Sequence, residues 1–140
     1  MLKPQNFHRM IDSGFGHPGS TLAHSMAWFK GRVYVGTSAP ATKSPEDRAR
    51  ILTFDPATEV WETTWESPIL EMDERMKARS TWLSTGGGMG RRRKEAENSH
   101  MGREFGLRTM TVFKGKSDRE PCLYAGTMSI WGDSNMRTGA

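Results

Sequence analysis

Ser25-Met26-Ala27-Trp28-Phe29-Lys30-Gly31 runs directly into Arg32-Val33-Tyr34-Val35-Gly36-Thr37. Both flanks are rich in aromatic and β-branched residues, which suit a pleated, half-buried surface. Lys30-Gly31 reads as a two-residue turn between them, because glycine accepts positive φ without a Cβ clash. The stretch predicts a β-hairpin.

The pattern returns later in the chain. Thr109-Met110-Thr111-Val112-Phe113-Lys114-Gly115 parallels 25–31 at an offset of 84, and Leu123-Tyr124-Ala125-Gly126-Thr127 parallels 33–37 at an offset of 90. The difference of six is taken up by the longer turn through Lys116, Ser117, Asp118, Arg119, Glu120 and Pro121. An internal repeat outranks other signals in deciding the fold.

Between the two copies lies a second hairpin signal. Arg50-Ile51-Leu52-Thr53-Phe54 and Val60-Trp61-Glu62-Thr63-Thr64-Trp65 flank Asp55-Pro56-Ala57-Thr58-Glu59. Proline presets φ for that turn, and the Asp55 carboxylate is placed to accept from the backbone ahead of it. Strict alternation puts Trp61, Thr63 and Trp65 on one face. Two successive hairpins make a four-stranded antiparallel meander, the unit of a propeller blade.

These segments resemble kelch-type blades, and more narrowly a group of bacterial kelch-like propeller proteins. In that group a strand ending Tyr-x-Gly-Thr precedes a Phe-Asp-Pro-x-Thr-x-x-Trp hairpin. Here Tyr34-Val35-Gly36-Thr37 precedes Phe54-Asp55-Pro56-Ala57-Thr58-Glu59-Val60-Trp61. The resemblance spans roughly residues 14–65 and 105–132. The glycine pair usual in a kelch repeat is reduced to Gly36-Thr37 and Gly126-Thr127. The resemblance implies an all-β fold of four-stranded antiparallel blades, incomplete, with a long inserted loop. A closed propeller needs about four to eight blades, so the expectation is a fragment or truncated paralogue, or copies that complete a ring.

The remaining chain divides around these elements. Residues 1–23 read as an irregular N-terminal loop, 24–66 as the first blade and 67–106 as an inserted flexible basic loop. Residues 107–132 read as the first strands of a second blade and 133–140 as a polar tail. Within the insertion a short helix is expected around 69–79 and no further strand pair. Ser44-Pro45-Glu46-Asp47 is expected to open one helical turn.

Composition narrows the function classes. The 140 residues carry a net charge of +4, with 20 basic against 16 acidic side chains. Nucleic acid is not the expected partner, since no basic stripe runs along a predicted element. Cys122 is the single cysteine, which excludes an internal disulfide. Residues 1–8 hold no apolar leader, and no run reaches membrane-spanning length. The reading is cytoplasmic.

No motif assigns a catalytic residue, cofactor or metal. Gly14-Phe15-Gly16-His17-Pro18-Gly19 fits G-x-G-x-x-G, but neither a preceding strand nor a following helix is predicted. It reads as a loop. His8, His17, His24 and His100 show no ligand spacing. Gly86-Gly87-Gly88-Met89-Gly90 leads into Arg91, Arg92, Arg93 and Lys94. Backbone N–H groups and four cations there make an anion-binding candidate. Trp28, Trp61, Trp65 and Trp82 read as packing aromatics, with carbohydrate stacking on an exposed one as the alternative. The expected function is a non-catalytic interaction module whose partners are a protein, further blades or copies of itself. The alternative is part of a propeller enzyme acting on carbohydrate or another polar substrate.

Overall fold

The computed structural model describes residues 3–7, 9–17, 19–39, 44–74 and 100–129. Among the described residues eight strands carry the fold: β1 (Leu22–Phe29), β2 (Arg32–Ser38), β3 (Arg50–Asp55), β4 (Val60–Glu66), β5 (Ile69–Glu71), β6 (His100–Gly102), β7 (Gly106–Phe113) and β8 (Cys122–Met128). Every pairing among them is antiparallel. The fold is all-β, as the turn-rich, aromatic sequence predicts.

Strands β1 to β4 form the expected meander. β1 pairs with β2, β2 with β3, and β3 with β4. The β1–β2 turn is made by Lys30 at φ 47° and Gly31 at φ 78°. Two successive positive φ values give a turn whose twist matches the flanking strands. The β3–β4 turn is closed by the Ala57 amide donating to Asp55 Oδ1 at 2.9 Å. β1 starts at Leu22, two residues ahead of the expected blade boundary.

The meander has two faces. Val33, Val35, Leu52, Phe54 and Trp61 share the front through direct pairing of Val33 with Phe54, Val35 with Leu52 and Phe54 with Trp61. Ser25, Ala27, Tyr34 and Gly36 share the back. The core sits on the front of β2 and β3, where Val35, Leu52 and Phe54 are buried. An N-terminal loop crosses it. Gly14, Phe15 and Gly16 all take positive φ, at 79°, 52° and 77°. That reversal sets the Phe15 ring 6.1 Å from Trp61. Left-handed backbone at a phenylalanine costs about 1–2 kcal/mol, and the ring contact offsets it.

Trp61 and Trp65 lie on opposite faces, contrary to strict alternation. Leu52 pairs with Thr63 but Ile51 with Trp65, so Thr64 is the extra residue of a β-bulge. A bulge shifts the register by one and turns the following side chain over. Trp65 therefore joins Ile51 on the back.

The insertion also departs from expectation. Ile69–Glu71 is strand rather than the opening of a helix, and it pairs with His100–Gly102. Ile69, Leu70 and Glu71 thus close a two-stranded ribbon at the base of the insertion. Residues 75–79 of the expected helix lie outside the described residues. Ser44 opens a turn, with the Asp47 amide donating to its carbonyl at 3.0 Å. No helix among the described residues is long and apolar enough to cross a membrane.

The second hairpin, β7–β8, repeats the first in detail. β1 is bulged between Ala23 and Ser25, and β7 between Leu107 and Thr109, the same place 84 residues on. Ser25 pairs with Gly36, and Thr109 pairs with Gly126. The Phe29 and Tyr34 rings meet in a tilted pair at 6.2 Å and 55°, and those of Phe113 and Tyr124 at 6.2 Å and 58°. The longer second turn is stapled by Asp118, whose Oδ2 accepts from the Gly115 amide and the Tyr124 hydroxyl, each at 2.7 Å.

Candidate functional site

Arg50 opens β3 on the front face, two residues before Leu52 and four before Phe54. Alternation therefore drives a guanidinium inward, and its side chain is fully buried. Nε donates to Glu66 Oε1 at 2.6 Å, Glu66 being its cross-strand partner. Nη1 donates to Ser20 Oγ at 3.3 Å, and Nη2 to Glu46 Oε2 at 3.4 Å. Arg48 donates to the other Glu66 oxygen. The Thr37 hydroxyl accepts from the Arg50 amide at 3.1 Å. Two arginines and two carboxylates thus balance in charge.

Charge compensation sets the protonation states. The hydrogen bond from Arg50 holds the Glu66 carboxyl below its ordinary range, with Arg48 adding to the effect. Burial pushes His17 down, and the Arg50 charge lowers it further. A carboxylate held this firmly ionised is a poor proton donor at neutral pH. The cluster instead ties three segments together: the N-terminal loop through Ser20, the 44–50 loop through Glu46, and the meander through Glu66. A second buried knot continues it. Glu104 Oε2 accepts from Ser67 Oγ at 2.5 Å, and Ser67 Oγ accepts from the Glu104 amide at 2.7 Å. This knot fixes the segment that delivers β7.

β7 pairs with the end of β2 at Ser38–Gly106, so that all six long strands belong to one sheet, and from there it crosses the back of the first hairpin. Ser25 Oγ donates to the Leu107 carbonyl at 2.9 Å. A Cβ placed on Gly36 would stand 2.7 Å from Leu107 Cβ and 3.1 Å from Met110 Cε. Gly36 therefore forms the socket over which the second hairpin sits. Leu107 and Met110 belong to the front of that hairpin, since they pair with Thr127 and Ala125. The front of the second repeat covers the back of the first. Both turns point the same way, with Lys30 Nζ 3.0 Å from Glu120 Oε1.

Among the described residues, two strand faces carry exposed large side chains. On the front of β1, Met26 is 64% exposed and Trp28 61%. On the back of the second hairpin, Phe113 is 59% exposed and Tyr124 45%.

Arg91, Arg92, Arg93 and Lys94, with the glycine run before them, lie outside the described residues, as do His8 and Trp82. His24 is the bulge residue of β1 and meets Ser38 Oγ at 2.8 Å. Cys122 is half-buried opposite Phe113. Among the described residues no three His, Cys, Asp or Glu side chains gather as a metal site. An open cleft of about 420 Å³ lies between 9–15 and the start of β1, lined by Arg9, Asp12, Phe15 and Thr21. Arg9 there is turned onto Asp12 at 3.7 Å and Ser13 at 3.0 Å.

No protein-family model, curated protein or solved structure matches this chain.

The buried ion cluster is what reading along the sequence missed. Its signal was available: an arginine in phase with Leu52 and Phe54 must either break the alternation or carry partners inward with it.

Proposed function

We propose that the chain is a non-catalytic interaction module built of kelch-like propeller blades. One observation carries the reading. The second hairpin repeats the first, bulge for bulge and ring pair for ring pair, and lies front-to-back upon it. Face-to-face packing of repeated antiparallel hairpins is how propellers bury their faces; here the two hairpins also share one sheet through the Ser38–Gly106 pair. The chemistry points the same way. The charges of the Arg50 cluster are paired with each other, and the open face of β1 presents the thioether of Met26 and the ring of Trp28. The partner of such a face is a protein surface rather than a polar small molecule.

Hydroxyl-radical footprinting of Met26 and Trp28 tests this. Both side chains react fully in the dilute purified chain. Inside cells producing the protein they are expected to be protected several-fold, while exposed Met10 is not. Equal reactivity of Met26 in both settings contradicts the reading.

A further inference from the structure

The contact inside the molecule is open at both of its ends. It joins the front of one repeat to the back of the other, so one front and one back are used up. The front of β1 and the back of the second hairpin remain, the front of β2 being covered by the core and the N-terminal loop. Because the hairpins share register, bulge and ring pair, these two surfaces correspond to the pair already in contact, with Leu22 and Met128 standing where Gly106 pairs with Ser38. Within the chain, the Met110 methyl reaches over Gly36. Met26 occupies the Met110 position on the open front, and Gly126 occupies the Gly36 position on the open back. Gly126 is exposed, and a Cβ there would meet only Thr109 within its own hairpin. The hydrogen bond that locks the contact has its counterpart too. Ser25 donates to the Leu107 carbonyl, and Thr109 stands at the Ser25 position with Ala23 at the Leu107 position.

We propose that a second copy of this chain docks head to tail, its Met26–Trp28 face seated on the Gly126–Tyr124 face of the first. The inference rests on the reading of the chain as an interaction module and names its partner. The occupant is a second copy because an interface of this geometry already exists between the two repeats, and no foreign surface needs to be invented. Thr111, on the open back, is exposed, whereas Ala27 at the equivalent position beneath the second hairpin is half-buried. The interface is heterologous, each copy using a different face. Such contacts close into a ring where the rotation divides a full turn and otherwise run on as a filament.

Two substitutions separate the faces. Met26→Arg blocks the front and Thr111→Arg the back, and both positions are exposed, so neither burdens the monomer's core. Sedimentation velocity on the full chain is expected to give a mass that rises with concentration above the 15.7 kDa of one chain. Each variant alone is expected to stay monomeric. An equimolar mixture is expected to form a dimer and nothing larger, because one open front meets one open back. Circular dichroism on each variant checks that the β signal is kept. Wild-type chain that stays monomeric at every concentration overturns the proposal, whatever the variants do. So does a Thr111→Arg variant that assembles like wild type, since that pattern belongs to a symmetric front-to-front contact. A wild-type monomer in vitro with Met26 still protected in cells would refute self-association and leave the interaction module standing.

Discussion

Replacing Glu66 by glutamine removes one charge from the centre of the buried cluster and changes little in shape. Arg50 is fully buried and gives its shortest bond to Glu66, at 2.6 Å. Its other carboxylate, Glu46, is 3.4 Å away on a side chain 71% exposed. Arg48 is bonded to Glu66 as well and lies 4.0 Å from Glu46. The substitution therefore leaves two guanidiniums, one fully buried, facing a single solvent-exposed carboxylate. Removing one partner of a buried ion pair costs about 3–5 kcal/mol. Glu66 is itself one-third exposed, which places the expected loss at the low end, about 3 kcal/mol. For a chain of this size that lowers Tm by roughly 10 °C. Urea titration followed by tryptophan fluorescence measures it, and Arg50→Met/Glu66→Leu is the control. The double replacement is expected to recover most of the loss, because an apolar pair needs no solvation. A loss below about 0.5 kcal/mol for Glu66→Gln, the range of an ordinary surface change, would refute the view that this cluster anchors the N-terminal loop.

Gly36→Val forces a side chain against Leu107 Cβ, which would stand 2.7 Å from the new Cβ. It is expected to cost about 2 kcal/mol and to raise amide exchange in β7 and β8 more than in β3 and β4. Gly31→Ala meets no neighbouring atom but fixes alanine at φ 78°. Its cost is conformational alone, about 1 kcal/mol, with the exchange pattern unchanged. Acidification is expected to destabilise the fold in two stages. His17 and Glu66 both sit below their ordinary values of 6.5 and 4.5, so the unfolded chain binds more protons and stability falls with pH. The His17 share is complete above about pH 6.5 and fades as pH drops through its folded value; the Glu66 share is complete above about pH 4.5 and fades below it. Urea midpoints between pH 7.5 and 3.5 check this, and a midpoint that rises on acidification contradicts it.

Much of the fold could be read along the chain because local chemistry and global structure agree there. Lys30-Gly31 wants the turn it makes, and Asp55 closes its own loop. The repeated Phe-Lys-Gly and Tyr-x-Gly-Thr segments mark both copies of one hairpin. The failures share a cause: each depends on a partner distant in sequence. Trp65 turns to the back because of a bulge set by pairing with β3, and no residue near Thr64 announces it. Ile69–Glu71 is strand because His100–Gly102 comes back to pair with it. The ion cluster joins Ser20, Glu46, Arg50 and Glu66, which alternation alone assigns to unrelated elements. The open faces were visible only as aromatics, Trp28 among them. Which aromatics stay uncovered depends on where β7 lands, and that is decided by the Ser67–Glu104 knot across the insertion.

The account stands on the stacking of the second hairpin over the back of the first. The most direct measurement is a nuclear Overhauser spectrum of chain labelled at the methionine ε-methyl groups. Front-to-back stacking predicts a cross-peak from the Met110 methyl to the Gly36 α-protons that persists on dilution. Absence of that peak, with the β1–β2 and β7–β8 cross-strand peaks intact, would mean two hairpins joined only through the Ser38–Gly106 pair and not stacked, and would contradict the account.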